Sequence, residues 1–319
     1  MSRTVVLSCS GGKDSAAAGL YLKEQGIGFE AIFCDTGWEH LETYRYLREV
    51  LPAYLGPIRW LRATVRWQET VRTATGKSSE QATELAARLE TYAQEFEGRL
   101  GVEYSAFVRL ILRRAGFSTR RMRWCTGDLK VTPAAAYLAT LDDPLNVVGV
   151  RAEESEARAQ MPEHEYDAGV DCDVWRPIIQ WKLDDVIAIH KRHNLAPNPL
   201  YLRNATRVGC YPCIMSRKSE IGALDSARVG VIADLERVVA DLYRERLTRR
   251  GDEATMSPPT FFQSGSDERR PDGSYHWPID EVMAWARTAH GGRQYELFAA
   301  APRDAGCMRW GLRDTGGGL

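Results

Sequence analysis

Three stretches of this 319-residue chain combine residue types and spacings that suit chemistry. Residues 8–15 read SCSGGKDS, with two adjacent glycines among hydroxyl, lysine and aspartate side chains. Residues 149–158 read GVRAEESEAR and place arginines among carboxylates. Cys210 and Cys213 form a Cys-x-x-Cys pair within a set of seven cysteines that also includes Cys125. These features indicate an anion-binding loop, oxyanion-binding arginines and a thiol or metal centre.

The first stretch is flanked by residues that predict a strand, a glycine turn and a helix. The apolar residues 4–7 precede it, and the helix-forming residues 16–25 follow. Gly11 and Gly12 allow a ligand to approach the backbone, and a helix start offers unpaired N–H groups. The loop is therefore predicted to bind phosphate, although it has neither the GxxxxGK[ST] nor the GxGxxG pattern. The side chains expected to assist are Ser8, Ser10, Lys13, Asp14 and Ser15.

Two further predicted strands end beside polar residues. One leads into Asp35 and Thr36, and the other leads into Arg151. Because a doubly wound sheet brings the carboxyl ends of its parallel strands together, we expect these side chains beside the phosphate loop. The alternative role for Asp35 is the N-cap of a helix over residues 40–50.

Arg151 and Arg158 are suited to phosphate or sulfate oxygens, because a guanidinium group pairs with such groups through two hydrogen bonds. The alternative is a surface helix on which glutamates and arginines form ion pairs.

The cysteines can be assigned several chemical roles. Cys210 and Cys213 fit a zinc knuckle, an iron–sulfur half-site or a redox pair. Cys125 lies in a run of cations, which favours the thiolate and would attract a polyanionic substrate. Solvated surface is the alternative for that run. The cations are Arg113, Arg114, Arg120, Arg121, Arg123 and Lys130.

Composition excludes little beyond membrane proteins and strongly basic chains. A hydrophobic content of 44% suffices for a globular core, and a net charge of -1 provides no general attraction to nucleic acid. No stretch has the pattern of a signal peptide or the length of a membrane span. We expect a soluble, cytoplasmic protein with reduced cysteines.

The remaining segments predict mainly helices. Residues 78–116 read as two amphipathic helices inserted into the α/β unit, with their acidic residues on a solvated face. A long helix is predicted over residues 226–250, and the polar residues 251–273 are expected to be a mobile linker or lid. His190 and His193 are expected to face solvent. Strands are predicted over residues 4–7, 29–33, 57–64, 145–150 and 174–179.

Together the motifs resemble the PP-loop ATP pyrophosphatase superfamily, in its phosphoadenosine phosphosulfate (PAPS) reductase-like branch. DNA phosphorothioation sulfurtransferases and phage relatives have the most similar motif set. The resemblance rests on SGGKDS, on Asp-Thr-Gly at residues 35–37, on WRPI at residues 175–178 and on NPLY before GCYPC. It rests also on a GxRxxESxxR pattern that falls on Gly149, Arg151, Glu154, Ser155 and Arg158.

This resemblance implies an α/β fold with a doubly wound, mostly parallel sheet of the adenine nucleotide alpha hydrolase-like type. Residues 1–216 would form the nucleotide-binding domain, with a helical insertion at residues 66–118. Residues 217–319 would form a mainly helical region that contributes a cysteine to a metal site.

The resemblance also implies the chemistry. The loop would hold the β- and γ-phosphates of ATP with Mg²⁺, a substrate would be adenylated with release of pyrophosphate, and sulfur would displace the adenylate. Lys13, Arg151 and Arg158 would stabilise the charge on phosphate oxygens. A [4Fe–4S] cluster would take four thiolates, with zinc as the alternative. The expected metal ligands are Cys125, Cys210, Cys213 and Cys307.

The implied partners are ATP or an adenylyl nucleotide, a sulfur donor such as a cysteine desulfurase, and DNA, with the oligomeric state left open. Two alternatives follow from departures in sequence. Cluster-bearing adenylylsulfate reductases have two adjacent cysteines where Trp124 and Thr126 flank Cys125, and they end in a nucleophilic cysteine motif. If Cys307 is that nucleophile, the chain is a sulfonucleotide reductase that releases sulfite. The other alternative is a non-catalytic, nucleotide-binding and zinc-stabilised subunit of a DNA-modifying complex.

Overall fold

The computed structural model describes residues 3–67, 78–203, 205–250, 257–263 and 273–288. Its main sheet has six strands in the spatial order β3-β2-β1-β4-β6-β5, and all neighbours are parallel except β5 and β6. The predicted doubly wound, mostly parallel α/β fold is therefore confirmed. The strands are β1 (Thr4–Ser8), β2 (Glu30–Asp35), β3 (Ile58–Arg62), β4 (Pro144–Val148), β5 (His164–Asp167) and β6 (Cys172–Trp175).

Helices cover both faces of this sheet, and a two-stranded hairpin lies outside it. Two of these helices are continuous but contain a π-helical turn between two α-helical segments, and we name each of them as one helix, α2 and α5. The first helices are α1 (Lys13–Glu24), α2 (Leu41–Arg45, Tyr46–Val50 and Leu51–Leu55), α3 (Ser79–Leu100), α4 (Ala106–Arg114) and α5 (Trp124–Thr126, Gly127–Val131 and Thr132–Leu138). The later elements are α6 (Glu156–Ala159), α7 (Leu183–Arg192), α8 (Pro199–Leu202), α9 (Lys218–Gly222), α10 (Ser226–Arg250), β7 (Phe262–Gln263), β8 (His276–Trp277) and α11 (Ile279–Ala286).

Strand β1 lies at the centre of the sheet, and its alternating side chains face two different cores. Leu7 packs with residues of α1, α2 and α7, whereas Val6 packs with residues of α5 on the opposite face. Because β1 pairs with β2 on one side and with β4 on the other, the loop after Ser8 opens between the ends of those two strands. That is the position at which α/β sheets bind ligands.

Two helix boundaries differ from expectation. Helix α5 begins at Trp124, not near Pro133, because a π-helical turn, Gly127–Val131, joins the two parts. Helix α2 is capped by His40, whose Nδ1 accepts a hydrogen bond from the Glu42 N–H at 3.1 Å. The alternative role of Asp35 as that N-cap is therefore wrong.

The helical insertion and the C-terminal region share one hydrophobic core. Phe107 of α4 and Phe261 pack around Trp38, with ring centroids 5.1 and 5.7 Å from the indole. Phe261 is only 1% exposed, so the part of residues 251–273 that the structure describes is not the mobile linker or lid expected from its polar composition. The two phenylalanines of that segment are apolar enough to be drawn into the core.

A buried ion network holds the two helices of the insertion together. Arg109 of α4 donates from Nε to Glu97 at 2.7 Å and pairs with both oxygens of Glu90 at 2.7 and 2.8 Å. Its guanidinium also lies 4.4 Å from the ring centroid of Tyr104. Glu97 is 3% exposed, so the expectation that the acidic residues of the insertion face solvent is wrong at this position. A buried carboxylate of this kind requires its cation.

Within the described residues, no helix is both long enough and apolar enough to cross a membrane.

A buried carboxylate of helix α10 binds the chain on either side of the C-terminal hairpin. Glu236 accepts hydrogen bonds from the Phe261 N–H at 2.9 Å and from the Ile279 N–H at 3.0 Å. Burial raises the pKa of Glu236 from 4.5 to about 7, although both N–H donors act to lower it. The folded state therefore binds more protons than the unfolded state between these two values.

We predict that Glu236 contributes a fall in the unfolding free energy as the pH rises from about 4.5 to 8, because a carboxyl group with a raised folded-state pKa loses stability as it ionises. Glu236→Gln should remove this contribution, so its change in unfolding free energy between pH 5 and pH 8 should differ from that of the wild type by up to about 3 kcal/mol. Urea unfolding at pH 5 and pH 8 measures the difference. Asp241→Asn, an exposed change on the same helix, is the control and should retain the wild-type profile.

Candidate functional site

The loop after β1 is closed by its own serines. Gly11 adopts a φ of 72°, which favours glycine. Ser15 Oγ donates to the Gly12 carbonyl at 3.0 Å and accepts from the Ser10 N–H at 3.1 Å, and the Gly12 N–H donates to Ser10 Oγ at 3.3 Å. The N–H groups of Asp14 and Ser15 have no hydrogen-bond partner in the described part of the chain. Two free donors at the start of α1 form an anion-binding position.

A second layer of polar side chains fixes this loop from behind. The Lys13 N–H donates to the Tyr201 hydroxyl at 3.3 Å, and Asn198 Nδ2 donates to the Gly11 carbonyl at 3.2 Å. His190 Nε2 lies 2.9 Å from the Lys13 carbonyl oxygen. His190 is fully buried and burial lowers its pKa, so the expectation that it faces solvent is wrong.

His193 is half-buried, and its Nε2 lies 2.7 Å from Glu24. The expectation that it faces solvent is therefore met only in part. In the sequence, this layer behind the loop is indicated by the two polar residues of Asn-Pro-Leu-Tyr, residues 198–201. An asparagine and a tyrosine in a short helical turn, α8, are buried only if they find partners.

Three charged side chains form a buried network at the start of α1. Asp14 lies between the Lys13 ammonium, with Nζ to Oδ2 at 2.7 Å, and the Arg151 guanidinium, with Nε to Oδ1 at 2.6 Å. Arg151 also pairs with Glu153. Burial acts to lower the pKa of Arg151, but the two carboxylates outweigh it and raise the pKa. The tertiary fold thus joins the loop after β1 to Arg151, three residues beyond the end of β4.

The rest of the 149–158 segment divides between the loop and the surface. Gly149 lies against α1, where a Cβ atom would be 2.4 Å from the Asp14 carbonyl oxygen. Glu154 accepts from the Arg151 N–H at 3.1 Å, and Ser155 Oγ accepts from the Arg158 N–H at 3.3 Å. The Arg158 side chain is 40% exposed and pairs with Glu154, which matches the surface ion pair considered as its alternative role.

The other predicted nucleotide-binding residues point in different directions. Ser8 Oγ donates to Asn146 Oδ1 at 2.8 Å across the β1–β4 pair. Thr36 Oγ1 donates to Glu39 at 2.8 Å. Asp35 accepts hydrogen bonds from Tyr44 and Arg62, so its carboxylate is turned toward α2 and β3.

A cleft of about 360 Å³ opens beside that carboxylate. It lies between α2 and the connection of the two insertion helices, and Arg48 in its wall stacks 4.7 Å from the ring centroid of Trp60. Other lining residues that carry charge are Arg45, Glu49, Arg62 and Glu103.

Three cysteines from distant parts of the sequence meet around Lys130. Cys210, the strongest influence, raises the pKa of the Lys130 ammonium together with Glu39, Cys213 and Cys125, and this outweighs the effect of burial. Burial raises the pKa of Cys210 to about 12, although Lys130 acts to lower it. We call Cys125, Cys210 and Cys213 the cysteine cluster.

Lys130 and Glu39 were not among the sequence-predicted members of this site. The signal for Lys130 was its place in the cation run, five residues after Cys125. Glu39 had no local signal, because it reaches Cys210 through a single antiparallel bridge between distant segments.

The chain around the Cys-x-x-Cys pair is anchored to Trp38. The Tyr211 N–H donates to the Trp38 carbonyl at 2.9 Å, and the Trp38 indole N–H donates to the Pro212 carbonyl at 3.0 Å. The Arg228 guanidinium lies over both aromatic rings, 4.7 Å from the Trp38 centroid and 5.2 Å from that of Tyr211. The C-terminal helix α10 thus contributes directly to the position of the pair.

Thiol donors suit an iron–sulfur cluster or zinc. Among the residues that the structure describes, no three His, Cys, Asp or Glu side chains are arranged to hold a metal ion. Cys307, the predicted fourth ligand, lies outside the described residues. The metal site therefore stays a prediction that rests on the chemistry of its donors. Of the other cysteines, Cys34 donates to the Lys130 carbonyl at 3.3 Å, and Cys172 is buried in β6.

Comparison with known families decides the affiliation of the chain. The family model of the phosphoadenosine phosphosulfate reductase domain matches residues 4–216. The chain belongs to this family. The match includes the phosphate loop, the Arg151 segment and the whole cysteine cluster, and it ends before α9.

Relatives of this PAPS reductase-family chain are of two kinds. An uncharacterised 37.8 kDa protein of Escherichia phage 186 is 34% identical over 92% of this chain and 91% of its own length. An adenosine 5'-phosphosulfate reductase of Neisseria meningitidis serogroup A is 35% identical, but over only 30% of this chain and 38% of the reductase. A phosphoadenylyl-sulfate reductase from Candida auris, solved with phosphate, is 16% identical with a TM-score of 0.41 over 67% of this chain and 84% of that one.

We predict that Gly149→Ala lowers the unfolding free energy by about 1–3 kcal/mol, because the new methyl group would overlap the backbone of Asp14 and Ser15. Gly28→Ala is the matched control, since an added Cβ there meets nothing within 4 Å. Denaturant unfolding of both variants measures the difference. Equal stability of the two variants would contradict the close approach of β4 to α1.

Proposed function

We propose that this chain is an ATP-using enzyme that adenylates a substrate, releases pyrophosphate and supports sulfur transfer. The observation that supports this best is the loop after β1, where two unpaired backbone N–H groups and the buried pair of Lys13 and Asp14 meet at the start of α1. Such a position favours the terminal phosphates of a nucleotide. Membership of the PAPS reductase domain family supports an adenine nucleotide as the ligand.

Each charged group of the loop has a role in this proposal. The β- and γ-phosphates, with Mg²⁺, lie against the N–H groups of Asp14 and Ser15, and Lys13 stabilises charge that develops on their oxygens. Asp14 keeps Lys13 and Arg151 in place by pairing with both. A substrate oxygen attacks the α-phosphorus, the bond to the bridging oxygen breaks, and pyrophosphate leaves. The terminal persulfide sulfur of a donor such as a cysteine desulfurase then attacks the adenylated atom, and AMP leaves with the substrate oxygen. A second thiol reduces the resulting disulfide and frees the thiolated product.

The cysteine cluster, with Cys307, would hold a [4Fe–4S] cluster, and zinc on the same ligands is the alternative. When bound, the [4Fe–4S] cluster would carry sulfur or tune the site at which sulfur is transferred. Lys130 would offset the negative charge of the thiolates, because its ammonium interacts electrostatically with Cys125, Cys210 and Cys213.

We predict that the protein converts ATP to AMP and pyrophosphate, and that Lys13→Met lowers the rate by about 10²–10³-fold, because it removes a cation aimed at the phosphates. Chromatographic separation of AMP from ADP measures the products. Lys23→Met, an exposed change in the last turn of the same helix, is the control and should retain the activity. Release of ADP would refute the proposal.

We predict that anaerobically purified wild-type protein contains iron and acid-labile sulfide, with a broad absorption band near ~400 nm. Cys210→Ser should lose most of the iron, because it removes a thiolate ligand. Cys172→Ser, a change in the sheet, should retain it. Stoichiometric zinc in a colourless protein would refute the [4Fe–4S] cluster and support zinc on the same ligands.

A second candidate function is sulfonucleotide reduction, supported by the partial similarity to adenosine 5'-phosphosulfate reductases. Cys307 would then attack the sulfur of the bound sulfonucleotide, and thiol-dependent sulfite release would be lost in Cys307→Ser with the metal content unchanged. A non-catalytic subunit of a DNA-modifying complex would bind nucleotide and DNA but release neither sulfite nor pyrophosphate.

A further inference from the structure

A short turn of the chain presents three arginines to solvent beside the cysteine cluster. Residues 118–123 form this turn, which we call the basic turn. Its cations, Arg120, Arg121 and Arg123, are all exposed. Within the described ranges, none of the three has a carboxylate at ion-pair distance. Unpaired guanidinium groups on a surface are available to an anionic partner.

Hydrogen bonds within the turn fix its conformation. The Thr119 N–H donates to the Met122 carbonyl at 3.1 Å, and the Met122 N–H donates to Thr119 Oγ1 at 2.9 Å. Ser118 Oγ donates to the same Met122 carbonyl at 3.1 Å. The arginines therefore project from a preformed scaffold, which lowers the entropy cost of binding.

The positive charge continues onto the adjacent helix end. Arg113 and Arg114 close α4, and of these Arg114 pairs with Asp128 at 2.7 Å and lies 5.2 Å from the ring centroid of Trp124. Asp128 is thus one carboxylate among five arginines. Because the whole chain has a net charge of -1, this excess of positive charge is local. A local field of one sign attracts a partner of the opposite sign.

The basic turn is connected directly to the cysteine cluster. Ser118 Oγ lies 3.2 Å from Cys125 Sγ and 3.5 Å from the Cys125 backbone nitrogen. Arg123 is the residue that precedes the first turn of α5, and Cys125 lies in that turn. A long anion held by the arginines would pass close to Cys125.

We propose that the basic turn binds the phosphodiester backbone of a nucleic acid strand. Exposed arginines bind a small anion weakly, because each remains solvated, but a polyanion gains from several contacts at once through release of its counterions. The Met122 side chain, 68% exposed between the arginines, offers an apolar contact for a base or sugar. Binding of the strand does not depend on the proposed function. Its delivery to the cysteine cluster for sulfur transfer rests on that function.

The test is fluorescence anisotropy of labelled 20-nucleotide single strands, DNA and RNA of the same sequence, titrated with the full chain at several salt concentrations. In the variant Arg120→Gln/Arg121→Gln/Arg123→Gln, affinity at low salt should fall about tenfold or more, and the slope of log K against log[salt] should shrink by about 2. The control Arg59→Gln/Arg192→Gln/Arg237→Gln removes the same charge from exposed positions elsewhere and should bind like the wild type.

Preference between the two strands identifies the natural polymer and supports the proposal in either case. Equal losses in the variant and its control, absence of wild-type binding at low salt, or tighter binding of polyglutamate than of either strand would overturn it. Pyrophosphate release from ATP, measured in parallel without oligonucleotide, distinguishes nucleic acid binding by the basic turn from the proposed adenylation. Its absence would refute adenylation and leave the binding result standing.

Discussion

The structure depends on one buried carboxylate. Asp14 pairs with Lys13 on its own helix and with Arg151 after β4, so a single side chain joins two parallel strands at the edge where ligands bind. Removal of the Asp14 carboxylate would take the ion-pair partner from the buried Lys13 ammonium, which is strongly destabilising. The contact also requires Gly149, because any side chain there would separate β4 from the start of α1. The conformation of the loop after β1 and the pairing of the central strands thus depend on one arrangement.

A second arrangement, around Trp38, connects the helical insertion and the C-terminal region to the cysteine cluster. The indole holds the chain at Pro212 by a hydrogen bond, and it packs against Phe107 of the insertion and Phe261 of the C-terminal region. Arg228 of α10 covers the same ring. The two regions that lie outside the central α/β unit therefore form the wall of the cysteine cluster.

Family membership and activity are separate conclusions for this chain. The PAPS reductase domain covers residues 4–216 and includes every described residue of the phosphate loop and the cysteine cluster. The similarity to adenosine 5'-phosphosulfate reductases is restricted to 30% of the chain, whereas the phage relative matches nearly all of it, including the C-terminal region. Since one fold supports many reactions, the reaction must be decided at the site itself.

The sequence by itself determined the local elements and the order in which they follow one another. The apolar run before SGGKDS, the helix formers after it and the periodicity of α3, α4 and α10 correctly predicted strands and helices, because these signals act over a few residues. Only the tertiary structure decided which distant residues meet: His190 behind Lys13, Glu39 beside Cys210, and Phe261 against Trp38. No spacing records such contacts, since the burial that selects them exists only after the sheet and the two helical regions have packed together.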